Sequence, residues 1–204
     1  MDFAHPVEAV VPGVQGRILA VLANTDTELT MRTVASLAGA SQNRTAELLN
    51  DLALLGIVER REAGSAALVR LAQANEVAGW IRGLAGISDV VLAKMKQGAQ
   101  RLTPKPQCLA VFGSFVRREA TAGSDIDVIA VVHELSADSR DLSAALANWS
   151  ERVAKLTGNP VSLVTVDEED LSRWLSEGQS FWSNVVRESE VLFGAWPVTS
   201  SDEP

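Results

Sequence analysis

The chain has 204 residues, 47% of them hydrophobic and 22% charged, with a formal net charge of −8. That composition suits a globular protein able to bury a core, as one large domain or two small ones, and argues against non-specific nucleic-acid binding by the whole molecule. Cys108 is the only cysteine, which excludes an intrachain disulfide and a cysteine-based zinc site. With no long apolar run and no signal-like start, a cytoplasmic protein with no membrane partner is expected.

In chain order, residues 1–12 lack clear periodicity and read as a loosely docked tail, as do residues 197–204. Residues 14–72 read as three short helices and a hairpin. Ile18, Leu19, Val21 and Leu22 lie on the first helix, and Thr30 caps a second that Gly39 ends. Ser41 caps a third, patterned by Thr45, Leu48, Leu49, Leu52 and Leu55 and stopped at Gly56. The runs IVERRE and AALVRL flank Ala63-Gly64-Ser65, a hairpin turn. This order resembles the winged-helix family, with the hairpin as a two-stranded wing.

That resemblance implies double-stranded DNA as a partner, read by Ser41, Gln42, Asn43, Arg44 and Thr45 at the start of the third helix. Gln and Asn suit adenine, Arg suits guanine, and hydroxyls suit phosphate. Arg60 and Arg61 near the wing would add backbone contacts. Against this, residues 16–72 hold six arginines (17, 32, 44, 60, 61, 70) and six acids (26, 28, 47, 51, 59, 62). A neutral module gains little affinity from counterion release, so a protein-contact or purely structural role stays open.

Asn75 caps a long linking helix, residues 75–102, with Val77, Trp80, Ile81, Leu84, Ile87, Val91 and Met95 on one stripe. Four glycines weaken it by about 1 kcal/mol each relative to alanine, so packing must hold it. The stripe is either core or the contact of a homodimer.

After Pro104 and Pro106 the rhythm becomes strand (107–112), Gly-Ser turn with a short helix, strand (125–132), helix (138–157), strand (160–166) and helices at 168–176 and 179–188. Asp138 with Asp141, and Asp167 with Asp170, suit helix starts. Alternation of strands and helices indicates an α/β domain over residues 104–194. Trp149, Trp174, Trp182 and Trp196 read as core or domain-interface anchors. His133 reads as a strand-end residue and His5 as part of a tail, so neither is expected to build a metal site.

Within this domain, Gly113-Ser114 is followed after ten residues by Asp125-Ile126-Asp127. In a strand, Asp125 and Asp127 point to one face, where two carboxylates repel unless a cation lies between them. Hard oxygen ligands suit Mg²⁺. A small-residue turn leaving a strand offers backbone N–H groups to phosphate oxygens. Together they suggest a nucleoside triphosphate bound through Mg²⁺.

The stretch GSFVRREATAGSDIDV resembles the signature of minimal nucleotidyltransferase domains of the DNA polymerase β-like superfamily: GS, ten residues, then DxD. The resemblance implies an α+β or α/β chain in three parts: winged helix, linking helix, and a nucleotidyltransferase fold whose mixed sheet is flanked by helices. It also implies transfer of a nucleoside monophosphate from an NTP to a protein, small-molecule or nucleic-acid acceptor, with Mg²⁺ or Mn²⁺ as cofactor. Gly113 and Ser114 would hold the outer phosphates, Asp125 and Asp127 two Mg²⁺ ions, and Arg117 and Arg118 would neutralise the triphosphate. For the two arginines a solvated helix face is the competing reading.

Active members carry a third carboxylate on the next strand, where this chain has Ser162 within Pro160-Val161-Ser162-Leu163-Val164. Asp167 lies five residues on, hence on the opposite face if the strand continues, and reads as a helix cap. Three outcomes stay open: an active transferase, a nucleotide binder without turnover, and a scaffold. The competing function is a DNA-binding regulator whose nucleotidyltransferase domain senses nucleotide or serves as structure.

Overall fold

A computed structural model describes residues 1–64, 66–133 and 140–197. Ser65 of the expected hairpin turn, the helix start at Asp138, and the tail from residue 198 lie outside the described residues. The chain divides into two compact units: one spans Ala4–Ile87, and the other begins at Ser88 and takes in Met1 and Phe3.

The first unit contains α1 (Pro6–Val10), α2 (Val14–Ala23), β1 (Leu29–Thr30), α3 (Met31–Leu37), α4 (Gln42–Leu54), β2 (Val58–Ala63), β3 (Ala66–Leu71) and α5 (Glu76–Ala85). The predicted caps form. Thr30 Oγ1 accepts from the Thr33 N–H at 3.1 Å, Ser41 Oγ from the Arg44 N–H at 3.3 Å, and Asn75 Oδ1 from the Ala78 N–H at 3.1 Å. Ile18, Leu22, Val34, Leu49, Leu52 and Val69 fill the core at the three-and-four spacing of their helices and the alternation of β3.

Two features depart from the sequence reading. The hairpin gains β1 as a third antiparallel strand, in the order β1-β3-β2, with Leu29 opposite Val69. The segment expected to be a loose tail instead forms α1, whose Val7 is buried in this core. Each is too short to show a period of its own and is fixed by long-range packing.

The second unit contains α6 (Ile87–Gln100), β4 (Cys108–Phe112), β5 (Ile126–Val132), α7 (Arg140–Thr157), β6 (Val161–Asp167), α8 (Glu168–Ser176), α9 (Ser180–Glu188) and β7 (Glu190–Gly194). The sheet is mixed, in the order β6-β5-β4-β7: β5 and β6 are parallel, and β4 is antiparallel to both its neighbours. Strand β7, unanticipated from sequence, closes the edge of the sheet. Gly194 takes φ 72° there, and a Cβ on it would lie 1.8 Å from the Gln107 carbonyl oxygen.

The linking segment is two helices rather than one. α5 stops at Ala85, Gly86 caps it, and α6 begins at Ile87. The predicted stripe divides accordingly. Ile81 and Leu84 pack on the first core, Val91 and Met95 are fully buried, and Val77 and Trp80 stay exposed.

One face of the sheet carries Cys108, Ala110, Ile129, Val131 and Val166, which pack with Leu171 of α8 and Val185 of α9. Trp174 and Trp182 stack against this cluster with ring centroids 4.8 Å apart, and Trp149 is buried on α7, so all three serve as core anchors. Burial pushes the Cys108 thiol up to about 11, which leaves it chemically quiet. Among the described residues no helix is long and apolar enough to cross a membrane.

Candidate functional site

The site grows from the end of β4. Gly113 follows Phe112 at φ 73°, and one helical turn forms as the Arg117 N–H bonds the Gly113 carbonyl at 3.2 Å. The turn closes at once. The Arg118 N–H bonds the Phe115 carbonyl at 3.1 Å, and the Glu119 N–H bonds the Ser114 carbonyl at 2.8 Å. Such a closure needs a left-handed residue, usually glycine, and Arg118 supplies it at φ 59°. The expected short helix is therefore a single turn. A non-glycine residue in this region costs about 1 kcal/mol or more and persists where surroundings enforce it. Here the Arg118 guanidinium is anchored to Asp89 Oδ1 at 2.8 Å.

The next strand delivers the carboxylates. Asp125 immediately precedes β5 and is exposed, while Asp127 is its second residue and half-buried. Asp127 pairs in register with Phe112 on one side and with Ser162 on the other, so these three side chains share a sheet face. That face continues inward as the apolar cluster of Ile129 and Val131, and the acids occupy its open end. A Cβ on Gly113 would lie 2.6 Å from Asp127 Oδ2, so the turn rests directly on the carboxylate. Only glycine satisfies both that approach and the positive φ.

Burial raises the Asp127 carboxyl above its usual range, the Asp125 charge raises it further, and the Arg117 guanidinium opposes both. Neither aspartate has a hydrogen-bond or ion-pair partner among the described residues. Two carboxylates held together without a direct partner fit a divalent cation with oxygen ligands. Among the described residues no group of three metal-ligating side chains exists, and the register partner of Asp127 on β6 is Ser162.

The two arginines separate. Arg117 is close enough to influence Asp127, while its Nε donates to Glu119 Oε2 at 2.9 Å and its Nη1 lies 3.8 Å from Glu188 Oε2. Arg118 is committed to Asp89. His133 Nδ1 lies 2.7 Å from Glu168 Oε2, a nitrogen–oxygen contact just past the far end of β5. β6 does run to Asp167, so Asp167 lies on the face opposite Ser162, and its Oδ1 accepts from the Glu169 N–H at 2.8 Å as the cap of α8.

One positioning residue escaped the sequence reading. Asn159 is buried, and its Nδ2 donates to the carbonyls of Thr121 and Ser124, both at 3.0 Å. It clamps the loop that delivers Asp125. The Ile126 N–H bonds the Pro160 carbonyl at 2.8 Å beside it. The sequence signal is faint: one asparagine between Gly158 and Pro160 also reads as an ordinary turn residue.

In the first unit, Ser41, Gln42, Asn43 and Arg44 are exposed at the start of α4. Thr45 is not. It is fully buried on the face of Leu48, Leu49 and Leu52, with no partner for its hydroxyl among the described residues, so it belongs to the core and cannot reach a DNA phosphate. Arg60 is tied to Glu62 and to Asn50, Arg61 to Glu28, and Arg44 to Glu47. The Arg61 hydrogen bond holds the Glu28 carboxyl below its usual range.

No curated protein matches the chain. Among solved structures, a mutant of the toxin–antitoxin pair MntA–HpeT is 18% identical, over 51% of this chain and 73% of that chain, with a TM-score of 0.34. A toxin–antitoxin structure with AMP-PNP is 19% identical, with the same coverage of both chains and a TM-score of 0.34. The model of the polymerase beta nucleotidyltransferase family matches residues 94–195, half of the chain and the whole of the turn, strand and carboxylate arrangement. The chain belongs to that nucleotidyltransferase family.

Proposed function

We propose that the second unit is a metal-dependent nucleotidyltransferase, which moves a nucleoside monophosphate from an NTP to an acceptor and releases pyrophosphate. The carrying observation is the close approach of the Gly113 turn to the Asp127 carboxylate, which supports reading the turn as the phosphate cradle and the acid as a metal ligand beside it. The Gly113 and Ser114 N–H groups and the Ser114 hydroxyl orient the outer phosphates. Asp125 and Asp127 hold Mg²⁺ or Mn²⁺, which when bound offsets charge on the phosphate oxygens. Arg117 adds a cation on the open side, once released from Glu119. Arg118 acts only indirectly, by fixing the end of the turn.

Ser162 favours a second reading. As the register partner of Asp127 it offers a neutral hydroxyl where the family places an acid, and so can neither share a second ion nor deprotonate an acceptor at neutral pH. On this reading the unit binds NTP without turnover and reports it to a winged-helix first unit, whose exposed Gln42, Asn43 and Arg44 would read DNA.

Incubation with each labelled NTP and Mg²⁺ or Mn²⁺, alone and with cell extract, separates the two. Label transfer by the wild type, lost in Asp127→Asn, supports the transferase. Transfer that appears only in Ser162→Asp moves the assignment to the binder. Equal NTP affinity by calorimetry for wild type, Asp125→Asn and Asp127→Asn removes both.

A further inference from the structure

The second unit contains a concavity of about 450 Å³ between α6 and α7 that includes none of the residues assigned above. Lys94, Gln97, Gly98 and Arg101 line one side at the i, i+3, i+4, i+7 spacing of a helical face. Trp149, Arg152, Val153 and Leu156 line the other at the same spacing. Two helix stripes thus face each other across a groove.

Its floor is fixed and apolar. A Cβ on Gly98 would lie 3.1 Å from Trp149 Nε1, so the missing side chain lets the indole settle against α6, donating to the Met95 carbonyl at 3.4 Å. Trp149 and Val153 are buried beneath the opening, and Leu156 is partly open to it. A glycine inside a helix costs about 1 kcal/mol relative to alanine, and here this packing offsets it.

Its rim is cationic and uncompensated. Among the described residues, Lys94, Arg101 and Arg152 have no ion-pair partner. Elsewhere in the same unit Lys96, Lys155, Arg117, Arg118, Arg173 and Arg187 each have one. The nearest acids on the two helices are engaged: Asp89 with Arg118, and Glu151 with Lys155. Helix dipoles do not account for the arrangement either, because Lys94 and Arg152 lie outside the last turns of α6 and α7. Three cations converging on one groove repel each other, in a chain whose net charge is −8.

We propose that this groove binds an organic polyphosphate of three or four negative charges, its phosphates on Lys94, Arg101 and Arg152 and its apolar body on Val153, Leu156 and the edge of Trp149. The site needs no metal, unlike the paired aspartates, and the proposal stands or falls independently of the transferase reading.

The test is calorimetric titration of the full chain in EDTA with ATP, tripolyphosphate and a short 5′-phosphorylated single-stranded oligonucleotide. The expected result is metal-free ATP binding that weakens with salt and survives Asp125→Asn and Asp127→Asn. It should fall roughly tenfold in each of Arg101→Ala and Arg152→Ala, with unchanged thermal melting. Tighter binding of ATP than of tripolyphosphate supports the apolar floor, and equal binding overturns it. Preference for the oligonucleotide reassigns the groove to nucleic acid. Absence of metal-free ATP binding in the wild type, or its survival in the double arginine variant, overturns the proposal.

Discussion

The two units treat charge in opposite ways. In the first, the arginines of the hairpin are each met by a glutamate: Arg60 by Glu62, Arg61 by Glu28, Arg70 by Glu59. Arg17 and Arg82 are spent on backbone carbonyls. Exposed pairs of this kind contribute about 0–1 kcal/mol each, so their main effect is to cancel the field a nucleic acid would feel. In the second unit, Asp125 and Asp127 stand together with no ion-pair partner among the described residues, one of them half-buried. A surface that neutralises itself has little left for a charged ligand, whereas one that leaves like charges adjacent is completed by a counter-ion. The same residue types give paired charges in one unit and two adjacent unpaired acids in the other.

Removing the uncancelled charge should have the largest effect. Asp127→Asn is expected to lower Mg²⁺-dependent NTP affinity by more than about tenfold in calorimetry. It also has a pH signature without metal. Asp127 is raised in the folded state, so its protonated form stabilises the fold below the unfolded value of about 3.9, and that contribution is lost as pH rises through the folded value. At neutral pH the ionised carboxylate is a cost. The metal-free variant should therefore melt above the wild type at pH 7 and level with it in acid, while Mg²⁺ raises only the wild type. Identical melting at pH 7 would remove the asymmetry between the units.

Gly113→Ala comes next. The new Cβ meets Asp127 Oδ2 in a backbone conformation that alanine disfavours, so the variant should lose about 1–3 kcal/mol in denaturant unfolding. NTP affinity should fall with it, because the turn and the acid cannot both keep their places. The smallest effect belongs to the self-cancelled unit. Arg44→Ala should weaken retention of the gene's own upstream DNA in a shift assay by no more than several-fold, since Glu47 already engages that guanidinium. A loss approaching that of Asp127→Asn for its own ligand would show that the first unit reads DNA through few, strong contacts.

How much of this was visible in the chain depends on the range of each interaction. The caps Thr30, Ser41, Asn75 and Asp167 were legible because a cap bonds within two or three residues of itself. The Gly-Ser turn and the aspartate pair were legible because strand alternation aligns the acids locally. Ser162 was expected at the acid position, and β6 pairs it in register with Asp127. Thr45 carried two readings at once, a polar residue in the opening turn of α4 and a member of the apolar stripe, and burial decided for the stripe. The partners of Arg61 and Arg118 lie 33 and 29 residues away, beyond any local pattern.

The sequence by itself determined the longer elements, their caps, the glycine at the turn and the identity of the two acids, all set by spacing and backbone conformation. Only the tertiary structure decided that α1, β1 and β7 exist, that the linking helix breaks at Gly86, and that Arg118 pairs with Asp89 while the charge of Arg117 acts on Asp127. It alone placed Asn159 against the Asp125 loop and brought Lys94, Arg101 and Arg152 to one groove with no ion-pair partner among the described residues. These outcomes depend on which distant surfaces exclude water and which charges that exclusion brings together, and neither is encoded in the period of any single segment.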